Sequence, residues 1–92
     1  MFAEQIYVFS SDGDLIALPA GATVLDMAYA LGEDVGDHCI GGKIGHRLVK
    51  PAYVLESGDP VEILTVRAMA PEEKWLGWCV TAHARNIIKS RI

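Results

Sequence analysis

The stretch Thr23-Val24-Leu25-Asp26-Met27-Ala28-Tyr29-Ala30-Leu31-Gly32 decides how this chain folds, and the other elements arrange themselves around it. Thr23, with Asp26 three residues on, has the form of a capping box: the hydroxyl serves one orphan N–H and the acid reaches back to another. Val24, Met27, Ala28 and Leu31 recur at steps of three and four, so one face is apolar and must lie on a sheet. Gly32 stands where a left-handed residue commonly stops a helix. The breaker Pro19-Ala20-Gly21-Ala22 precedes it, and the spacing predicts a helix over residues 24–31.

Upstream, Gln5-Ile6-Tyr7-Val8-Phe9 is β-branched and aromatic, the cluster Ser10-Ser11-Asp12-Gly13 is a turn, and Asp14-Leu15-Ile16-Ala17-Leu18 reads as a second strand. Two short strands joined through Asp-Gly make a hairpin. Downstream, Cys39-Ile40-Gly41-Gly42-Lys43-Ile44 is a third strand weakened by its glycines, and Arg47-Leu48-Val49 pairs back after Gly45-His46. Tyr53-Val54-Leu55 leads into the turn Glu56-Ser57-Gly58-Asp59. Beyond Pro60, Val61-Glu62-Ile63-Leu64-Thr65 alternates as a last strand with Val61 and Ile63 inward. The order β-β-α-β-β-β is that of an α+β, β-grasp fold, as in ubiquitin. It has a mixed sheet on one helix, with the first and last strands free to run parallel at its centre.

After the linker Val66–Ala70, Pro71 with Glu72 and Glu73 opens a second helix. Trp75, Leu76, Cys79, Val80, Ala84, Ile87 and Ile88 make a stripe at helical steps, and Arg85, Lys89 and Arg91 gather at its end. The β-grasp elements already account for a core, so this stripe predicts a partner. It is either the sheet, a missing neighbour, or a second copy associating through Trp75, Leu76, Val80 and Ile87. The division expected is residues 1–66 as the β-grasp domain, with 67–92 as a linker and the first helix of a following helical domain. Ile92 ends on no cap or tail, the pattern of a piece of a larger protein.

Ninety-two residues bound the chain to one domain, and 51% apolar content suits a globular one. A net charge of −4 and a pI near 5.2 leave no global basic field for nucleic acid. Two cysteines, Cys39 and Cys79, make no disulfide framework and read as free thiols in a reducing cytoplasm. Met1-Phe2-Ala3-Glu4 has neither a basic start nor an apolar run after it, so no leader is expected, and no apolar run approaches a membrane span.

Asp37-His38-Cys39 invites a metal or nucleophile reading, but alternate side chains on a strand point to opposite faces. Cys79 and His83 are four apart on a helix, yet packing explains both, and no metal or cofactor is expected. Cys39 has no orienting partner or oxyanion loop and reads as a small buried hydrophobe. Gly41-Gly42 is too short for a phosphate cradle and no helix follows it. Internal Gly-Gly also excludes the C-terminal tail chemistry of sulfur carriers. No catalytic residue stands out. Trp75 belongs to the stripe and to the core, whereas Trp78 lies off it as the better exposed contact. Lys43, His46, Arg47 and Lys50 form a local basic cluster suited to RNA or phosphate, or to solvent alone.

Taken together, Tyr7-Val8-Phe9, Gly13-Asp14, Leu18 to Thr23, Asp26 with Ala28-Tyr29-Ala30, Asp34-Val35-Gly36, Cys39-Ile40-Gly41, Leu48-Val49 and Gly58 to Thr65 resemble a TGS domain. The nearest pattern is that of RelA/SpoT-type alarmone synthetase/hydrolases. It continues into Trp75-Leu76 and Val80 to Arg85, which resemble the start of that family's next helical domain. The Trp75–Arg85 segment sets the chain apart from TGS domains of aminoacyl-tRNA synthetases and GTPases. The resemblance implies a non-catalytic regulatory domain of an enzyme that makes and degrades guanosine tetra- and pentaphosphate. It also implies uncharged tRNA on the ribosome, acyl carrier protein and the other domains of the parent chain as partners. Where the family commonly carries two histidines this chain has Gly32 and Asp37, and His38 replaces its arginine. Glycine cannot stack on a base and aspartate repels phosphate, so ligand contacts are expected at His38, Lys43, His46 and Arg47. A relay domain without RNA contact is the competing expectation.

Overall fold

A computed structural model describes residues 4–92; the leader reading of Met1-Phe2-Ala3 lies outside them. Helix α1 spans Val24–Leu31 and both halves of the capping box form. The Asp26 N–H donates to Thr23 Oγ1 at 3.3 Å, and the Thr23 N–H to Asp26 Oδ2 at 2.9 Å. Val24 through Tyr29 are all buried, more than a single apolar stripe allows, because α1 is covered on two sides. Gly32 has φ 167°, which is extended backbone. It does not end α1 as a left-handed cap but turns the chain directly into a short helix α2, Glu33–Asp37.

Strands β1 (Gln5–Phe9) and β2 (Leu15–Pro19) form the hairpin, with Tyr7 opposite Ala17 and Phe9 opposite Leu15. Strand β3 (Cys39–Ile44) lies between β4 (Arg47–Val49) and β5 (Val61–Thr65), antiparallel to both. The expected parallel contact between first and last strands is confined to their ends. Gly58 N–H donates to Tyr7 O at 2.7 Å and Phe9 N–H to Asp59 O at 2.9 Å, ahead of a single parallel bridge from Phe9 to Pro60. β1 ends where β5 begins, so there is no length over which a ladder could extend.

Residues 71–91 depart furthest from expectation. In place of one continuous helix, a 3₁₀ helix, Glu73–Trp78, forms, followed by a non-helical break with extended Cys79 and Thr81 and by helix α3, Ala82–Arg91. The break has a physical cause. Val80 and Thr81 give their N–H groups to the Asp26 carboxylate, so they are unavailable for a continuing helical ladder. Burial along the stripe survives the change of geometry: Trp75, Cys79, Ala84 and Ile88 join Val8, Leu25, Met27 and Tyr29 in one core. The stripe is therefore covered by its own chain. Of the residues expected to serve self-association, Trp75 is buried, Leu76 and Ile87 are half-buried, and Val80 stands exposed. Trp78 is half-buried rather than free, its ring stacked 6.2 Å from that of Trp75.

Both thiols are buried and unpaired. Burial pushes Cys39 up to about 11; burial first, and then the nearby Asp26 charge, push Cys79 up to about 12. A thiol whose folded pKa lies above its unfolded value near 9.0 favours folding below that value. The advantage is lost as pH rises through about 9 toward 11 and 12. Stability should thus fall progressively above pH 9, and at pH 8 both thiols should resist a disulfide reagent until denaturant is added. Urea melts across pH 7–11 and a thiol titration measure the two effects.

Candidate functional site

His38 closes α2, where its Nδ1–H donates to the Asp34 carbonyl at 2.8 Å. That bond fixes the tautomer and leaves Nε2 as the free ring nitrogen. Asp34, Val35, His38, Thr65 and Arg67 line an open cleft of about 530 Å³. Arg67 lies in the stretch expected as a linker. The signal that finds it is register: Cys39 pairs with Thr65, and Val66 N–H donates to His38 O at 2.9 Å. Residues just before β3 and just after β5 are therefore neighbours.

The remaining expected contacts lie elsewhere. Lys43 lies between Leu48 of β4 and Glu62 of β5 in the ladder and lines a smaller pocket with Ser10 and Ser11. His46 is exposed on the β3–β4 turn. Arg47 is committed to Tyr53, its Nη2 donating to the phenol oxygen at 2.8 Å with the guanidinium 5.5 Å from the ring centre. With Leu48, Lys50 and Ala52 these two line a separate groove. The structure brings His38 together with Arg67, and Arg47 with Lys50. It does not gather the four expected residues into one site. His83, the other histidine weighed for a metal, gives its Nε2–H to the Tyr29 carbonyl at 3.3 Å.

A second constellation went unread in the sequence. The Asp26 carboxylate, 1% exposed, accepts from the N–H groups of Thr23, Val80 and Thr81 and from the Thr81 hydroxyl, the last at 2.8 Å. The single proton of Thr23 Oγ1 goes to the Trp78 carbonyl at 2.7 Å. Thr81 is also the N-cap of α3, accepting from Ala84 N–H at 3.3 Å. One buried negative charge thus sits at the positive ends of both α1 and α3, which offsets its desolvation. At the far end of α3, Arg91 Nη2 donates to Glu33 at 2.7 Å and Nε to Asp37 at 3.0 Å. Asp37 also accepts from the Tyr29 hydroxyl at 3.1 Å, and the Tyr29 ring occupies the place a Cβ on Gly36 would need. The aspartate expected to repel phosphate is used to tie α2 to α1 and α3.

The model of the TGS domain family matches residues 6–65. The chain belongs to the TGS domain family. It is 45% identical over 89 residues, 97% of its own length, to a guanosine-3′,5′-bis(diphosphate) 3′-pyrophosphohydrolase of Aquifex aeolicus. It is 44% identical over 92 residues, 96% of its length, to a GTP pyrophosphokinase of Escherichia coli K12, and 38% identical over its whole length to one of Myxococcus xanthus. This TGS domain is accordingly of the RelA/SpoT type, as the residues from Tyr7 to Thr65 implied, and the similarity runs on through α3. The chain spans 13% of the length of the first of these relatives and 12% of the other two. No helix among the described residues is long and apolar enough to cross a membrane.

Proposed function

We propose that this TGS domain is a non-catalytic regulatory unit of a longer cytoplasmic (p)ppGpp synthetase/hydrolase, relaying state between the β-grasp body and the chain that follows it. The observation that carries the reading is the shared cap: one buried carboxylate caps the N-termini of both α1 and α3, which couples the two helices. The Arg91 latch adds a breakable, solvent-screened contact at the opposite end of α3. In the full-length polypeptide, Arg91→Ala should leave basal (p)ppGpp synthesis in place and reduce its stimulation by ribosomes with deacylated tRNA at least three-fold. Stimulation equal to the unaltered protein would end the relay reading.

A second reading is favoured by the cleft at His38. An imidazole able to stack and the Arg67 guanidinium suit the terminal nucleotide and phosphate of uncharged tRNA. Titrating a short acceptor-end RNA should move amides around residues 32–40 and 65–67 saturably. His38→Ala or Arg67→Ala should raise the dissociation constant at least five-fold, whereas His46→Ala, on the distant turn, should not. Acyl carrier protein, titrated in the same spectra, should shift a different set of amides if it also binds.

A further inference from the structure

The β1–β2 hairpin is apolar on both faces. Ile6, Val8, Ile16 and Leu18 turn inward, while Tyr7, Phe9, Leu15 and Ala17 share the outer face, Tyr7 being 45%, Phe9 42% and Leu15 57% exposed. A near-continuous apolar run is the signature of a strand covered on both sides. The backbone carries the same message. Ser10 N–H donates to Asp14 O and Ala20 N–H to Glu4 O, so the even-numbered residues of β2 bond to β1. The N–H and C=O groups of Leu15 and Ala17 therefore point away from β1, while the carbonyl of Pro19 is taken by the Ala22 N–H at 3.1 Å. On the other side of β1 the chain from Ser57 to Pro60 already occupies the edge. Among the described residues β2 is paired on one side only, and Leu15-Ile16-Ala17-Leu18-Pro19 holds no charge. Strand edges meant to face water generally carry lysine or another charge against unwanted pairing.

We propose that the free edge and outer face of β2 dock another segment of the same longer polypeptide, which adds to β2 as a further strand. The area argues for a tethered occupant. Five residues at about 3.4 Å each, on two strands about 4.8 Å apart, give a footprint on the order of 200 Å², against ~800 Å² per partner in stable free association. A tethered segment meets the edge at an effective concentration in the millimolar range and needs far less area. The rest of the polypeptide is there to supply it if this chain, like the 12–13% it matches of its relatives, is one part of a longer protein. The inference shares that premise with the function proposed above and is independent of Asp26, Arg91 and His38.

Amide hydrogen exchange on the full-length polypeptide tests it. The Leu15 and Ala17 amides should exchange at least a hundred-fold more slowly than those of an open edge. In the variant Leu15→Lys/Ala17→Lys that protection should vanish, while Ile16 and Leu18, bonded to β1, stay protected and report an intact hairpin. Open-edge exchange at both positions in the unaltered protein would overturn the proposal. Protection that disappears on ten-fold dilution would overturn it too, in favour of a second copy. Failure of the Arg91 experiment would leave this result standing, since it reads different atoms.

Discussion

Replacing Asp26 by alanine should lower the stability of this domain by about 3–5 kcal/mol, a large part of the 5–15 kcal/mol that holds a small domain together. The carboxylate is the acceptor for the N–H groups of Thr23, Val80 and Thr81, all lying in or beside the core. Alanine leaves the buried Thr23 N–H and the part-buried Thr81 N–H without that acceptor, each orphan costing about 1–3 kcal/mol, while the N–H of exposed Val80 can turn to water. It also removes the negative charge from the first turn of α1 and from the N-terminus of α3, worth about 0.3–1 kcal/mol at each. Asparagine should recover little, because its amide group would turn N–H bonds toward donors on one side whichever way it is placed. Thr81→Val removes one hydroxyl bond and the α3 cap, for about 1–2 kcal/mol. Urea denaturation followed by the fluorescence of Trp75 measures all three. In a double-mutant cycle, Asp26→Ala and Thr81→Val should fall well short of additivity, since both remove the same bond. Additive losses would mean that the shared cap is not what joins the helices.

Gly41→Ala should cost a comparable amount, about 3–5 kcal/mol, in two parts of different origin. Gly41 has φ 147°, a conformation side chains rarely adopt, and it sits at the irregularity where β3 shifts register against β5. A Cβ there would also lie 2.5 Å from the Val49 carbonyl oxygen. That atom is backbone, fixed by the Gly42–Val49 pair, and cannot rotate aside. The neighbouring Gly42 is a control. Its Cβ would be tight against buried Val24 Cγ1 at 3.1 Å and the Glu62 carbonyl oxygen at 3.3 Å, but without the direct overlap or the positive φ of Gly41, so Gly42→Ala should be the milder variant. At roughly 4–8 °C per kcal/mol for a domain of this size, Gly41→Ala should drop the melting temperature by more than 10 °C. A loss of only a few degrees would show that β4 can move away from β3.

Much of the architecture was legible from local chemistry. The hairpin, the span of α1, its capping box and the five strands follow from residue type at short spacing; only β2 differs in its bounds, lying at Leu15–Pro19 rather than residues 14–18. The glycines of β3 were read as a weakness of the strand. Packing makes them a requirement, because β4 and α1 come too close for a side chain. The candidate site was legible only in part. His38 was named, but its neighbour Arg67 depends on the β3–β5 register, and the scattering of Lys43, His46 and Arg47 depends on which groove each strand faces.

The division between the two kinds of information runs through Asp26. The sequence by itself determined that Asp26 caps α1, because Thr23 and Asp26 are three residues apart and a helix turn brings them into contact. It also determined that Trp75, Cys79, Ala84 and Ile88 must be buried, since apolar area is driven out of water whatever the backbone does. Only the tertiary structure decided that the same carboxylate reaches Val80 and Thr81, more than fifty residues away, and so breaks the second helix. No local pattern encodes that contact. A backbone N–H bonds within its helix unless a better acceptor is brought to it, and only the assembled core brings Asp26 there.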